Sequence, residues 1–176
     1  MSVSMHEVSV PVFVRMLANL ARILEKAAAH AAATKTDPAA LLASRLAPDM
    51  YPLLEQVRIA ADAAVDGAAR LAQVEPPAPA DDGGSFAGLA ARLRDAVGFL
   101  QSLEPTRFEG AEGRVVSWTA RGATISVSGA AYLLNHAMPK FYFHVTTAYA
   151  ILRHNGVDLG KMDYLGRDTV PASTAK

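Results

Sequence analysis

The stretch that decides the fold is Ser128–Gly166, SGAAYLLNHAMPKFYFHVTTAYAILRHNGVDLGKMDYLG. It is the longest helical pattern in the chain. Ser128 supplies an N-cap hydroxyl at its start, and Asn155-Gly156 gives the usual left-handed stop signal. Three of the five histidines and four of the five tyrosines lie in it, so any chemistry the protein performs is expected to involve this segment. At about 100° per residue, Leu133, Ala137, Phe141, His144, Ala148 and Ile151 share one helical face. His144 therefore points toward an apolar stripe, where an unpaired imidazole costs roughly 1–3 kcal/mol. It is expected either to bond to a neighbouring helix as a neutral core histidine or to ligate a metal. His136 is offset from His144 by roughly 80° and reaches a shared site only if Pro139 bends the helix and frees the carbonyl of Asn135. His154 falls in the last turn, where a partial positive charge is favoured.

Three further long helices precede this segment. Ser4-Met5-His6-Glu7 reads as a capping box, followed by Phe13, Met16, Leu17, Leu20, Leu24 and Ala27 at helical spacing. Pro11 interrupts the pattern, so either the helix kinks there or Ser9 is the true N-cap. The alanine-rich continuation ends at Thr34-Lys35-Thr36, with His30 on the surface near the end. Asp37-Pro38 is a cap followed by a first-turn proline, which predicts a short helix over 39–44. The second long helix opens near Asp49-Met50-Tyr51-Pro52, with Asp49 as its cap, and carries the stripe Leu53, Leu54, Val57, Ala61, Ala64, Val65, Ala68 and Leu71. After the connection EPPAPADDGG over 75–84, Ser85 caps a third long helix carrying Phe86, Leu89, Leu93, Val97, Leu100 and Leu103. β-branched and aromatic residues on both sides of Ala120-Arg121-Gly122 predict a two-stranded hairpin, with Trp118 as a packing anchor. The reading is mainly α: four long helices, a short extra helix, and a small hairpin before the last long helix. Residues 1–166 are expected to form one domain and 167–176 a flexible C-terminal tail.

Composition narrows the function. Seventeen Lys and Arg balance seventeen Asp and Glu, so the cation surplus that nucleic-acid binding requires is missing. The chain has no cysteine, which removes thiolate ligands, cysteine nucleophiles and disulfides, and fits a reducing compartment. No apolar run approaches the roughly 20 residues of a membrane span, and the N-terminal MSVSMHE carries an acid where a signal peptide carries basic residues. A cytoplasmic protein with neither a nucleic-acid nor a membrane partner is expected. No phosphate loop and no G-x-S-x-G elbow occurs, and no catalytic residue is assigned.

Four segments together resemble a known family: SVPVFVRMLANL over 9–20, RLAPDMYPLLEQV over 45–57, FEGAE over 108–112 and FHVTTAYAILRHNGVDLGKMDYLG over 143–166. They resemble the bacterial domain-of-unknown-function family numbered nineteen-ninety-three, which is similar in turn to the DinB/YfiT-like group of four-helix bundles. The resemblance implies that fold. It also implies a divalent metal, nickel or zinc, held by one histidine from helix two and an H-x-x-x-H pair on the last helix, and in some members a thiol-dependent transferase activity. Residue by residue, it makes His144 the last-helix ligand, with His136 and Asp49 as the remaining candidates. The positions four before and four after His144 are Lys140 and Ala148, and the second long helix has no histidine, so the family's ligand pattern is incomplete in this chain.

Three functional expectations follow. In the first, a small molecule sits between the second and last long helices, in a pocket lined by Tyr51, Gln56, Phe141, Tyr142, His144 and Tyr149. In the second, a degenerate metal site at His144 supports transferase or hydrolase chemistry. In the third, the aromatic run Phe141-Tyr142-Phe143 pairs two copies into a homodimer.

Overall fold

The computed structural model describes residues 3–120 and 122–166. The segment 167–176, expected as a tail, lies outside the described residues. The elements in chain order are α1 (Val10–Thr34), α2 (Pro38–Ala43), α3 (Leu53–Ala72), α4 (Phe86–Gln101), a 3-10 turn (Pro105–Phe108), β1 (Val115–Ala120), β2 (Ala123–Ser128), α5 (Gly129–Tyr132), a π-helical segment (Leu133–Ala137), α6 (Met138–His154) and α7 (Lys161–Leu165). Helix α5, the π-helical segment and α6 run on as one long helical stretch.

The local signals explain most boundaries. Ser4 and Glu7 do form the reciprocal bonds of a capping box, with Ser4 N–H donating to Glu7 Oε2 at 2.9 Å and Glu7 N–H donating to Ser4 Oγ at 3.2 Å. The box closes only a turn, however, and α1 starts after Ser9 with Pro11 in its first turn, where a missing N–H costs nothing. Asp37 caps α2 by accepting from Ala39 N–H at 3.0 Å, and Ser85 caps α4 by accepting from Gly88 N–H at 3.0 Å. Ser128 does the same for α5, accepting from Ala131 N–H at 3.3 Å. Asp49 does not cap α3. Pro52 occupies the N-cap position in an extended conformation, because the residue ring fixes φ and the chain must still turn out of the preceding loop. At the far end of α6, Gly156 at φ 85° supplies the left-handed stop.

Helix α1 packs chiefly on α4 and α3 chiefly on α6, with α3 also against α4. The four helices enclose a core of Phe13, Leu17, Leu20, Leu24, Leu53, Leu71, Leu89, Leu93, Leu100, Phe141 and Ile151. Phe13 meets Phe141 edge-on at 4.9 Å, which ties α1 to α6 through the quadrupole preference of aromatic pairs. Small residues set the spacing between α3 and the π-helical segment: a Cβ added at Gly67 would lie 3.3 Å from Ala137 Cβ, so the two backbones approach closely there. The hairpin pairs Val115 with Ser128 through Ala120 with Ala123, an antiparallel register around a tight turn containing Gly122 at φ 77°. Val116, the hairpin's buried residue, joins the core, and Trp118 packs partly buried against it. Helix α7, which has no counterpart in the sequence reading, is held on α1 by Lys26–Asp163 at 2.8 Å and by Asn19 Nδ2 donating to the Tyr164 carbonyl at 2.9 Å. No helix among the described residues is long and apolar enough to cross a membrane.

Candidate functional site

His144 and Gln56 meet across the α3–α6 interface. Gln56 is buried, and His144 stands half-buried with its Nδ1 2.7 Å from Gln56 Oε1. The amide is oriented by its other end, since Gln56 Nε2 donates to the Tyr51 carbonyl at 3.0 Å. An amide oxygen can only accept, so His144 Nδ1 carries the proton and Nε2 presents its lone pair. Burial lowers the His144 pKa, and nearby Lys140 lowers it further. The product is an imidazole of fixed tautomer favoured as neutral, with the Phe143 ring at a right angle and its centroid 5.3 Å away.

His144 lies within the buried stripe, as its helical angle predicts. Phe141, Val145, Thr147, Ala148, Ile151 and Leu152 are the buried positions of α6, and at about 100° per residue His144 falls between Ala148 and Ile151. That position lets Nδ1 reach Gln56 of α3.

The remaining residues expected to line one pocket are dispersed. Phe141 is fully buried against Phe13 and presents no surface to a ligand. Tyr142 and Tyr149 lie roughly 150° around α6 from His144. Tyr149 packs at 5.9 Å on Tyr164 of α7, and burial raises the pKa of Tyr142. Tyr51 is exposed and contributes its backbone carbonyl to Gln56. The structure thus brings together Gln56, His144 and the Tyr51 main chain, and separates them from the other three aromatic residues.

The candidate metal ligands do not converge either. Asp49 is exposed in the loop before α3. His136 stacks on Trp118 at 4.6 Å and on Tyr132 at 5.7 Å, away from the Gln56 contact. A π-helical segment precedes Pro139, and its wide turn relieves the crowding between a proline ring and the carbonyl four residues back. Among the described residues no three His, Asp or Glu side chains gather into a group able to hold a metal. One imidazole nitrogen beside an amide already engaged by Nδ1 is a poor donor set for zinc or nickel, which take three or more nitrogen or mixed ligands.

With this geometry in view, the comparisons become specific. The family model for a domain of unknown function (DUF1993) matches residues 5–165. The chain belongs to the DUF1993 family. The crystal structure of a DinB family member protein from Shewanella denitrificans is similar over nearly the whole length, at 40% identity and a TM-score of 0.88, covering 95% of this chain and 94% of that one. This DUF1993 member is therefore a DinB-like helical bundle with a hairpin before its last long helix. A comparison with curated proteins returns no match. The family description assigns no activity.

A second cluster went unread in the sequence. A cleft of about 210 Å³ opens between α3, β1 and the π-helical segment, lined by Asp66, Arg70, Trp118, Tyr132, His136 and Lys140 among others. Its signal was present as two i,i+4 pairs, Asp66 with Arg70 and Tyr132 with His136, but nothing in the sequence says that the two helices face each other across Trp118.

Proposed function

We propose that this DUF1993 member binds a small molecule between α3 and α6, with His144 Nε2 accepting a hydrogen bond from an O–H or N–H group of the ligand. The observation that supports this reading is the 2.7 Å contact from His144 Nδ1 to Gln56 Oε1, which fixes the tautomer of a ring that burial favours as neutral and aims the free lone pair away from α3. Phe143 and the exposed ring of Tyr51 offer the apolar part of the site, while Phe141, Tyr142 and Tyr149 support α6 from its packed sides. The class of ligand is a compact, mostly apolar molecule with a hydrogen-bond donor, for which phenol is the simplest probe. In this reading residues 1–166 act as one folding unit in the cytoplasm. Two copies pair through Phe143, which is 55% exposed on α6.

The metal-dependent transferase or hydrolase reading draws on the relationship to the DinB family. The donor set at His144 does not fit zinc or nickel, so no reaction step is derived through a metal.

Phenol titration of the 15N-histidine-labelled protein tests the proposal. A saturable shift of the His144 Nε2 signal, lost in His144→Ala and weakened in Gln56→Leu, is the expected result. A flat or linear response at that nitrogen would sink it. Pairing is a separate measurement: light scattering should report a dimer for the parent chain and a monomer for Phe143→Ser.

A further inference from the structure

We infer that the cleft between α3, β1 and the π-helical segment is a second binding site, and that it takes a small monocarboxylate. Three observations lead there. The first is the donor inventory. Arg70, Lys140, Tyr132 and Trp118 all line the cleft. Trp118 Nε1 is buried and has no hydrogen-bond partner. That N–H is itself out of reach of solvent, so it reports on a ligand in the cleft from beside it and is not one of the groups that hold it.

The second observation is charge. Arg70 and Lys140 face a single lining carboxylate, Asp66, and His136 is held toward its neutral form by burial and then by Lys140 and Arg70. The lining thus has one positive charge in excess, which one carboxylate neutralises and a phosphate dianion overshoots. Lys140 forms no hydrogen bond or ion pair among the described residues, and Arg70 donates through Nη1 to the Ser117 carbonyl at 2.9 Å and also bonds the Tyr132 side chain.

The third observation is shape. Trp118, His136 and Tyr132 stack on one another, with interplanar angles of 33° for Trp118–His136 and 28° for Tyr132–His136, and all three line the cleft. A small acid can lie beside that aromatic stack with its carboxylate toward the cations. The volume is below the roughly 300–1,000 Å³ usual for drug-sized ligands, which restricts the occupant to a small acid. The π-helical segment carries His136, and such segments recur at binding sites.

Trp118 is the sole tryptophan, so its indole N–H gives one unambiguous signal in a 1H–15N spectrum of the full chain. The probes are sodium acetate and sodium benzoate, compared with sodium chloride and inorganic phosphate at equal ionic strength. The expected result is a saturable indole shift with both carboxylates, tighter for benzoate, and none with chloride. Arg70→Gln and, independently, Lys140→Gln should each weaken binding about tenfold, as loss of a charge-assisted hydrogen bond does. Asp66→Asn should tighten it, a change of sign that unfolding cannot mimic, and Arg153→Gln on the far end of α6 should leave it unchanged. The inference is overturned by a common linear response to all four salts, by phosphate saturating at lower concentration than the carboxylates, or by indifference to Lys140→Gln and Asp66→Asn.

Discussion

Asp82 and Arg58 are joined side-on, with Arg58 Nε donating to Asp82 Oδ2 at 2.7 Å and Nη2 donating to Oδ1. The carboxylate is almost fully buried, at 1% exposure, and also accepts from Gly84 N–H at 2.9 Å. This pair fastens the proline-rich connection after α3 back onto the helix it leaves. Arg58 holds the Asp82 pKa below the usual carboxylate value against the opposing effect of burial. Since the folded pKa is depressed, the stabilisation is fully present above the unfolded value of 3.8 and is lost as pH falls from there through the folded pKa. Asp82→Ala should therefore cost about 3 kcal/mol at neutral pH, the low end for breaking a buried pair, because Arg58 keeps Glu55 as a second partner. Urea unfolding at pH 7 and pH 3 checks this, with the difference between parent and variant shrinking at the lower pH.

Two glycines are fixed by close approach. A Cβ at Gly88 would overlap the Asp82 carbonyl, and a Cβ at Gly129 would overlap the Ala111 carbonyl. Gly88→Ala and Gly129→Ala should each destabilise by about 2–3 kcal/mol, as overpacking against an immovable backbone does. Gly98, with open space around the position of a Cβ, is the control: Gly98→Ala inside α4 should stabilise by about 0.5–1 kcal/mol. Thermal unfolding of the three variants decides the point, and equal behaviour would show that packing does not distinguish these sites.

Arg114 does for the hairpin what Asp82 does for the connection. Its Nη1 donates to the Leu71 carbonyl at the end of α3 and to the Arg107 carbonyl at 3.1 Å, and Nη2 donates to the Glu109 carbonyl at 3.1 Å. One planar fork thus bonds three carbonyls at once. Arg114→Lys should not substitute, since an ammonium cannot span that geometry, and a loss of about 2 kcal/mol is expected. Hydrogen exchange should then speed up at Gly129 N–H and Ala130 N–H, whose acceptors are the Arg114 and Glu112 carbonyls.

The long helices and the hairpin were legible because each is announced locally. Ser85, Ser128, Asp37 and Gly156 act through bonds to residues two to four positions away, which a sequence displays directly. Asp49 misled because Pro52 sits three residues later and takes the cap position through its ring, and a one-dimensional reading gives both residues equal claim. The site was legible only in part. The helical angle of His144 follows from the period of an α-helix, but its partner Gln56 is 88 residues away. No periodicity connects the two. The cleft at Trp118 was less visible still, because it depends on the π-helical segment, on the register of β1, and on which face of α3 carries Asp66 and Arg70.

The His144–Gln56 contact yields a prediction that separates a tuned imidazole from a merely buried one. Burial first, and Lys140 second, lower the His144 pKa below 6.5, so its contribution to stability is whole above that value and lost as pH falls through the folded pKa. The ring meets Gln56 from the α3 side, with Lys140 and Phe143 beside it on α6. Gln56→Glu replaces the amide with a near-isosteric carboxylate that still accepts from Nδ1–H and adds a negative charge within hydrogen-bond distance. The His144 pKa should rise above its parent value, and destabilisation by acid should be milder in the pH range where the imidazolium is paired. Gln56→Leu removes the acceptor without adding charge, so Nδ1–H loses its partner, the tautomer is no longer fixed, and the pKa should stay low. Histidine ring shifts followed against pH in the three proteins read all of this directly. A pKa that fails to rise in Gln56→Glu would mean that the 2.7 Å contact does not control the protonation of His144, and the neutral, oriented Nε2 on which ligand binding at this position depends would lose its basis.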